Sequence, residues 1–495
     1  MLRTKNLFVF LCVLCASVVN LFAQETPPAP SAPKSATVPA VKEKKLPNGL
    51  TVAVVERKGV PLVTIQLLVK NGADSEANKA GLADFTASML TKGTKTKTAT
   101  QIAEAIEFLG GSINSGAGWN SSFVSVTVTS DKVAQAMAIL ADVVLNPKFD
   151  QKELDLLKSQ TLDGLTYNLK QPSFLANYVA SKYSFGEHPA GGTPASIKNI
   201  SRSNLVRFNQ DNYEARESVL IFAGDISANA ANTLARQMFT GMKTSKPRRE
   251  LIQQINGSPI IPSKPERVKS IVVVDLPKSG QTAVNYARGI EYGRTEIDYA
   301  TGKIGTQTSY YSALVLNSVL GGGYSSRLNY EIRIKRGLSY GAGSNFGWRS
   351  DTANFATRVQ TKNESAAQVA ELTLDEIERL TNSSVSRDEL VPRKSVLTGG
   401  FGRNLETTGG LANALGDLYA FGIPTSELNK YVSSVNAVTD AQIKDFASRN
   451  LLGGDIIIVG DYSIFKDDLA KRFPGMKVEV IKADDLDLSK DNLHK

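Results

Sequence analysis

Histidine and cysteine, the side chains that most often bind metals or attack substrates, are scarce in this 495-residue chain: His188 and His494, Cys12 and Cys15 are the whole supply. Both cysteines lie in the apolar run 7–22. Thiolate zinc sites, cysteine nucleophiles and disulfides are therefore excluded downstream, and a multi-histidine metal centre has too few ligands. His188 falls in the loop 186–192, and His494 falls in a polar tail, where it is expected to be solvated. Serine and lysine are plentiful, yet none is read as the nucleophile elbow of a serine hydrolase. Gly321, Gly322 and Gly323 are not followed by the lysine and hydroxyl residue of a phosphate loop. Lys92, Lys95 and Lys97 lack interleaved aromatic residues and read as a solvated approach to a helix. The net charge of +9 falls to about +7 once Arg3 and Lys5 are set aside, a mild excess and no nucleic-acid footprint.

The elements that must position any chemistry are α+β in kind. Thr51 to Glu56 and the run 62–70 are rich in β-formers, and Val124, Val126 and Val128 alternate with Ser125, Thr127 and Thr129, as a sheet with one polar face requires. Thr98 and Gln101 form a capping box for a helix whose Ile102, Ile106 and Leu109 share a face, ended by Gly110 and Gly111. Apolar runs before Gly224 and Gly460 read as equivalent closing strands.

The chain is a tandem duplication. At an offset of 236, Glu153 and Leu154 match Glu389 and Leu390, Leu175, Ala176 and Asn177 match Leu411, Ala412 and Asn413, and Tyr183, Phe185 and Gly186 match Tyr419, Phe421 and Gly422. Residues 153–186 hold 13 such identities in 34 positions, against about two from ordinary residue usage. Two homologous halves follow, each a mainly antiparallel sheet packed with helices: 44–242 and 268–482, joined by the proline- and lysine-bearing linker 243–267. Ahead of them, Arg3 and Lys5, the apolar run and Ala23 have the grammar of a signal peptide over 1–23, which predicts a periplasmic or secreted protein with no stable membrane span after cleavage. Residues 24–43, rich in Pro and Ala, read as an extended linker, and 483–495 as a polar, frayed tail.

Residues 81–94, GLADFTASMLTKGT, resemble the GxAHFLEHMLFKGT segment of the insulinase/pitrilysin metallopeptidases, the inverzincins. LPNGL at 46–50, Gly110, Gly111 and Asn114, LGGGYSSRL at 320–328 and IRIKRGLSY at 332–340 are similar to further motifs of that family. In the inverted HxxEH helix two histidines one turn apart bind zinc and a glutamate takes a proton from the metal-bound water. Here those positions are Asp84, Ala87 and Ser88, and the turn matching the third ligand carries Asp163 and Gly164, with no glutamate. No metal or other cofactor is expected in this chain. The family's second-half pair, an arginine and a tyrosine that hydrogen-bond the substrate near the scissile carbonyl, maps onto Arg333 and Tyr340. Read by their own types, these two would be a helix-end arginine, a turn at Gly337 and a strand-opening tyrosine, so both donors could converge on one carbonyl. A dipole-favoured arginine and a half-buried tyrosine are the plain alternative.

The resemblance therefore implies a non-zinc-binding subunit of an exported heteromeric metallopeptidase. Its partner would be an HxxEH-bearing relative that holds the zinc, and its substrate a peptide or unfolded polypeptide, with Arg333 and Tyr340 supplied from this chain. Alone it should be inactive. The competing reading is a non-catalytic assembly or peptide-binding protein on the same fold.

Overall fold

The computed structural model describes residues 37–76, 79–186, 189–244, 268–295, 297–298, 303–304, 307–488, 490 and 493. The predicted signal peptide, most of both predicted linkers, His188 and His494 lie outside these described residues.

The first half builds one six-stranded sheet from β1 (Lys42–Lys45), β2 (Thr51–Glu56), β3 (Leu62–Val69), β4 (Ser112–Ala117), β5 (Ser122–Thr129) and β6 (Ser218–Gly224), in the order β1-β2-β6-β3-β5-β4. Its helices are α1 (Leu82–Leu90), α2 (Ala99–Phe108), α3 (Val133–Leu145), α4 (Gln151–Asn168), α5 (Pro172–Phe185), α6 (Pro194–Asn199), α7 (Arg202–Asn212) and α8 (Ala228–Phe239). The second half repeats the plan with β7 (Val268–Asp275), β8 (Thr282–Ile290), the two-residue strands β9 (Ile297–Asp298) and β10 (Lys303–Ile304), β11 (Ser339–Trp348), β12 (Ala353–Thr361), β13 (Gly454–Gly460) and β14 (Val478–Lys482). Its large sheet runs β11-β12-β8-β13-β7-β14, and its helices are α9 (Thr308–Leu320), α10 (Ala366–Asn382), α11 (Arg387–Leu405), α12 (Thr408–Ala420), α13 (Glu427–Ala437), α14 (Asp440–Asn450) and α15 (Tyr462–Arg472).

The two runs ahead of Gly224 and Gly460 close their halves in sequence but lie inside the sheets in space. β6 runs parallel to β2 and antiparallel to β3, and β13 runs parallel to β7 and antiparallel to β8. Every residue of both strands is buried, which explains unbroken apolar runs where an alternating pattern would mark a half-exposed strand. The sixth strand differs between halves: β1 is taken from the N-terminal side and pairs antiparallel, β14 from the C-terminal side and pairs parallel.

Central strands buried on both faces need two covering layers. One layer is local to each half. The other is exchanged: α5 of the first half packs Leu175, Ala176, Val179 and Ala180 onto Val272, Val274, Ala283, Ile457 and Val459 of the second sheet. In return α12 packs Leu411, Ala412, Leu415 and Leu418 onto Ala53, Val55, Val219, Ile221 and Ala223 of the first. These are the helices in which the duplication is most legible. The polar stripe of β5 is covered by the same exchange, with Thr64 Oγ1 at 2.8 Å from both Thr127 Oγ1 and Thr408 Oγ1. Each sheet is thus built from one stretch of chain, while one of its two covering layers comes from the other.

Both ends of the described chain are also better fixed than their composition suggests. Val38, within the expected extended linker, is buried and its N–H donates to Asn429 Oδ1 at 2.9 Å. The expected frayed tail instead places Leu488 and Leu493 in the apolar cluster around α5, because isolated leucines among the acids still have uncovered sheet surface to bury.

Candidate functional site

Helix α1 carries the first candidate constellation. Gly81 adopts φ 91° as its N-cap, and a Cβ there would sit 3.1 Å from Gly192 Cα, so the close approach and the left-handed backbone both require glycine. No side chain caps the helix from that position. Buried Glu76 does so from outside, its two oxygens accepting the N–H groups of Gly81 at 3.0 Å and Ala83 at 2.7 Å. Burial pushes the Glu76 carboxyl up to about 8, even though these N–H donors and a third at Leu82 oppose the shift.

From Leu82 to Leu90 only Asp84 and Ser88 escape full burial. Their i, i+4 spacing puts them on one face, the face on which an HxxEH helix shows its histidines. Ala87 is fully buried. Burial raises the Asp84 carboxyl, and the Ala117 N–H at the end of edge strand β4 works against that rise. Asp163 lies on an exposed stretch of α4. Among the described residues no three His, Cys, Asp or Glu side chains gather in a metal-binding group. The donor set does not fit zinc: one carboxylate and one serine hydroxyl offer no imidazole and too few ligands for a three-ligand site.

The second constellation is built on the turn between helix and β11. Residues Asn329–Ile334 form a π-helical turn carrying Arg333. Gly337 then takes φ 64°, its N–H donates to Arg333 O at 3.0 Å, and the Leu338 N–H donates to Ile332 O at 2.9 Å, which closes the helix and reverses the chain. β11 opens with a register shift between Ser339 and Ala342 against β12, a bulge that re-aims side chains. Ser339 locks it, its hydroxyl meeting Gly341 O and Gln360 O at 2.7 Å. Tyr340 stands on that bulge with 90 % of its surface exposed, so the half-buried alternative for this residue does not hold.

Among the described residues Arg333 has no acid partner, by a division of labour among its neighbours. Glu331 takes Lys335 at 3.2 Å and Arg336 at short range; burial acts to raise its carboxyl, but these two cations outweigh it and hold it below the usual range. The Arg333 guanidinium instead lies over the Tyr324 ring, 5.1 Å from its centroid. Sequence reasoning passed over Tyr324; its only signal was its place inside the 320–328 motif. Gly321 and Gly322 of that motif are structural. A Cβ on Gly321 would lie 2.3 Å from Ser344 N, and the same Ser344 N–H donates to Gly321 O at 3.1 Å, so α9 ends flush against β11. Arg327 clasps Glu389 through two bonds of 2.9 and 2.7 Å, tying the loop to α11.

Residues 337–341, GLSYG, do spell the GxSxG pattern. The chain order is helix to strand, the reverse of a nucleophile elbow, and the Ser339 hydroxyl is committed to the bulge.

Each half thus presents a helix-and-edge-strand site, one without the HxxEH residues and one with a half-buried arginine beside an exposed tyrosine. The family model described as Insulinase (Peptidase family M16) matches residues 51–181, and that described as Peptidase M16 inactive domain matches residues 199–397. The chain belongs to the insulinase/pitrilysin family and has the M16 peptidase fold. It is 26% identical over 401 residues to an uncharacterized zinc protease of Rickettsia felis, covering 79% of this chain and 91% of that one. An uncharacterized zinc protease of Bacillus subtilis is 23% identical over 413 residues, 82% and 95% of the two chains. The crystal structure of a peptidase M16 inactive domain from Pseudomonas fluorescens superposes with a TM-score of 0.72 at 27% identity, covering 85% of this chain and 98% of that one. A protease from Helicobacter pylori, at TM-score 0.75 and 16% identity over 86% and 100%, shares the fold.

Proposed function

We propose that this chain is a non-zinc-binding subunit of an exported heteromeric zinc metallopeptidase, lending Arg333 and Tyr340 to hydrolysis carried out at the HxxEH site of a homologous partner. The observation that carries the reading is an asymmetry. The helix of the first site has Asp84, Ala87 and Ser88 where ligands and base belong, while the second site holds a half-buried arginine and an exposed tyrosine, neither with an acid partner among the described residues. A guanidinium and a phenol are both donors at neutral pH, suited to a peptide carbonyl whose oxygen gains negative charge as the bond is attacked. Tyr324 limits the rotamers of Arg333 by lying beneath it, and the bulge fixes the direction of Tyr340, so little ordering is left for the moment of reaction. Export rests on the basic and apolar grammar of residues 1–23.

The test is co-expression with an HxxEH-bearing relative. Co-elution on size exclusion at micromolar concentration, with peptidase activity that neither chain shows alone, is the expected result. Separate elution at that concentration counts against the heteromer. A stable complex whose turnover ignores both Arg333→Ala and Tyr340→Phe would transfer the reading to an assembly or peptide-binding protein.

A further inference from the structure

A cavity of about 370 Å³ opens in the second half, between α9, the end of β11 and helices α11, α12 and α13. That volume is in the range of small-ligand pockets. Its walls are unusually aromatic. Phe401 and Tyr431 stack with centroids 4.0 Å apart and 14° between planes, Tyr431 meets Tyr311 edge-on at 5.9 Å, and Tyr310 connects Tyr311 at 5.3 Å to Trp348 at 5.5 Å. Five rings therefore form a continuous belt whose faces carry the negative side of the ring quadrupole.

The belt already holds one cation of the protein's own. The Arg294 guanidinium lies 3.4 Å from the centroid of the Tyr310 ring, is nearly buried, and donates through Nη1 to Gln307 Oε1 at 2.7 Å. The two carboxylates in the wall differ. Glu427 accepts the Tyr311 hydroxyl at 2.8 Å and has Lys430 at 3.8 Å on its outer side. Asp417 has neither a hydrogen bond nor an ion pair among the described residues. Its side chain keeps access to solvent, while the protein around it raises its carboxyl by desolvation against the pull of Arg294. The accessible side screens that effect, and the unpartnered geometry is the stronger pointer. A carboxylate among ring faces, without a donor of its own, is one half of a cation site.

We infer that this cavity binds an organic cation, an ammonium or guanidinium head group laid on the ring faces and donating to Asp417. Two sources share that chemistry: a lysine or arginine side chain of a peptide, and a free small amine or guanidine. Neither Arg333 nor Tyr340 lines the cavity, so the inference stands apart from the proposed peptidase role.

The full chain is titrated by calorimetry with Nα-acetyl-arginine amide, Nα-acetyl-lysine amide, methylguanidinium and butylammonium, with Nα-acetyl-leucinamide as the neutral control. Trp348, one of two tryptophans in the chain, gives a parallel fluorescence signal from within the wall. Saturable millimolar or tighter binding of the cations is expected, with none for leucinamide. Asp417→Asn weakens it by about tenfold or more, consistent with loss of one charge-assisted contact, and Tyr431→Leu weakens it as well. Circular dichroism checks that both variants remain folded. The acetylated amino acids binding tighter than the free cations supports a peptide side chain as the source; equal or weaker binding supports a small molecule. The inference is overturned if no cation saturates by tens of millimolar, if leucinamide binds equally well, or if Asp417→Asn binds like the parent.

Discussion

The helix α1 site and the Arg333 turn are both small junctions between a helix and an edge strand, and they have been kept for different reasons. At α1 the scaffold is complete: a glycine in the left-handed region and a buried glutamate capping the first turn. What is missing is the chemistry, and the position between Asp84 and Ser88 has closed over as a buried alanine. At the Arg333 turn the scaffold holds Tyr340 out in solvent and leaves Arg333 half-buried against the Tyr324 ring. Glu331 absorbs the neighbouring cations and Ser339 fastens the bulge. The framework of a site can persist on packing and capping energies alone, whereas the exposed Tyr340 hydroxyl, with no hydrogen-bond partner among the described residues, adds little to folding.

The largest expected effect is on catalysis. In a complex with an HxxEH relative, Arg333→Ala or Tyr340→Phe lowers turnover by roughly 10² to 10³, the usual effect of removing one oxyanion donor, with complex formation unchanged on size exclusion. Tyr340→Phe is the cleaner probe because it removes only a hydroxyl, whereas the arginine change also removes its contact with Tyr324. Steady-state kinetics decides it, and a Tyr340→Phe complex with parental turnover would equate the two sites as structural relics.

Next in size is a pH effect at the other site. The folded Glu76 carboxyl sits at about 8 against an ordinary 4.5, so the folded state holds a proton that the unfolded chain releases across that window. Its contribution is full below about pH 4.5 and is lost as pH rises towards 8. Denaturant melts at pH 5 and pH 8 should show the parent losing about 1–3 kcal/mol more than Glu76→Gln, which cannot titrate. Parallel profiles for the two proteins would remove Glu76 from the account of α1.

Smaller again is Ser339→Ala. Loss of the hydroxyl's contacts in the bulge should cost about 1 kcal/mol of stability, and the freer Tyr340 should reduce turnover of the complex by less than tenfold. A turnover loss as large as that of Tyr340→Phe would move Ser339 itself into the chemistry. The smallest effect is expected from Asp84→Asn. Zinc in the complex, measured by elemental analysis, and peptidase turnover should stay within about twofold of the parent, and stability within about 0.5 kcal/mol. Zinc lost with this substitution would overturn the distinction between the two sites.

Much of this was legible along the chain because it depends on local rules. The Thr98 and Gln101 box caps α2 as its spacing requires, the alternation at Val124, Val126 and Val128 faces the core, and the missing histidines can be counted. The Arg333 turn and the strand at Tyr340 follow from the reversal that Gly337 permits. The bulge was not legible, since it comes from register against β12, nor was the ring beneath Arg333, which is nine residues away in sequence and brought back by a turn. Leu488, Leu493 and Val38 misled for a related reason: composition describes a segment by its average, and docking depends on a few side chains meeting uncovered apolar surface.

By itself the sequence determined the duplication, the two kinds of element, the absence of a zinc ligand set and the candidacy of Arg333 and Tyr340, because each rests on residue identity or short spacing. Tertiary structure alone decided that α5 and α12 trade places over the two sheets, that Tyr340 faces solvent and that five rings and Asp417 line one cavity. A helix with one apolar face carries no mark of which sheet it will cover. Homologous halves offer equivalent surfaces, and the choice between them is made only when both sheets exist to be covered.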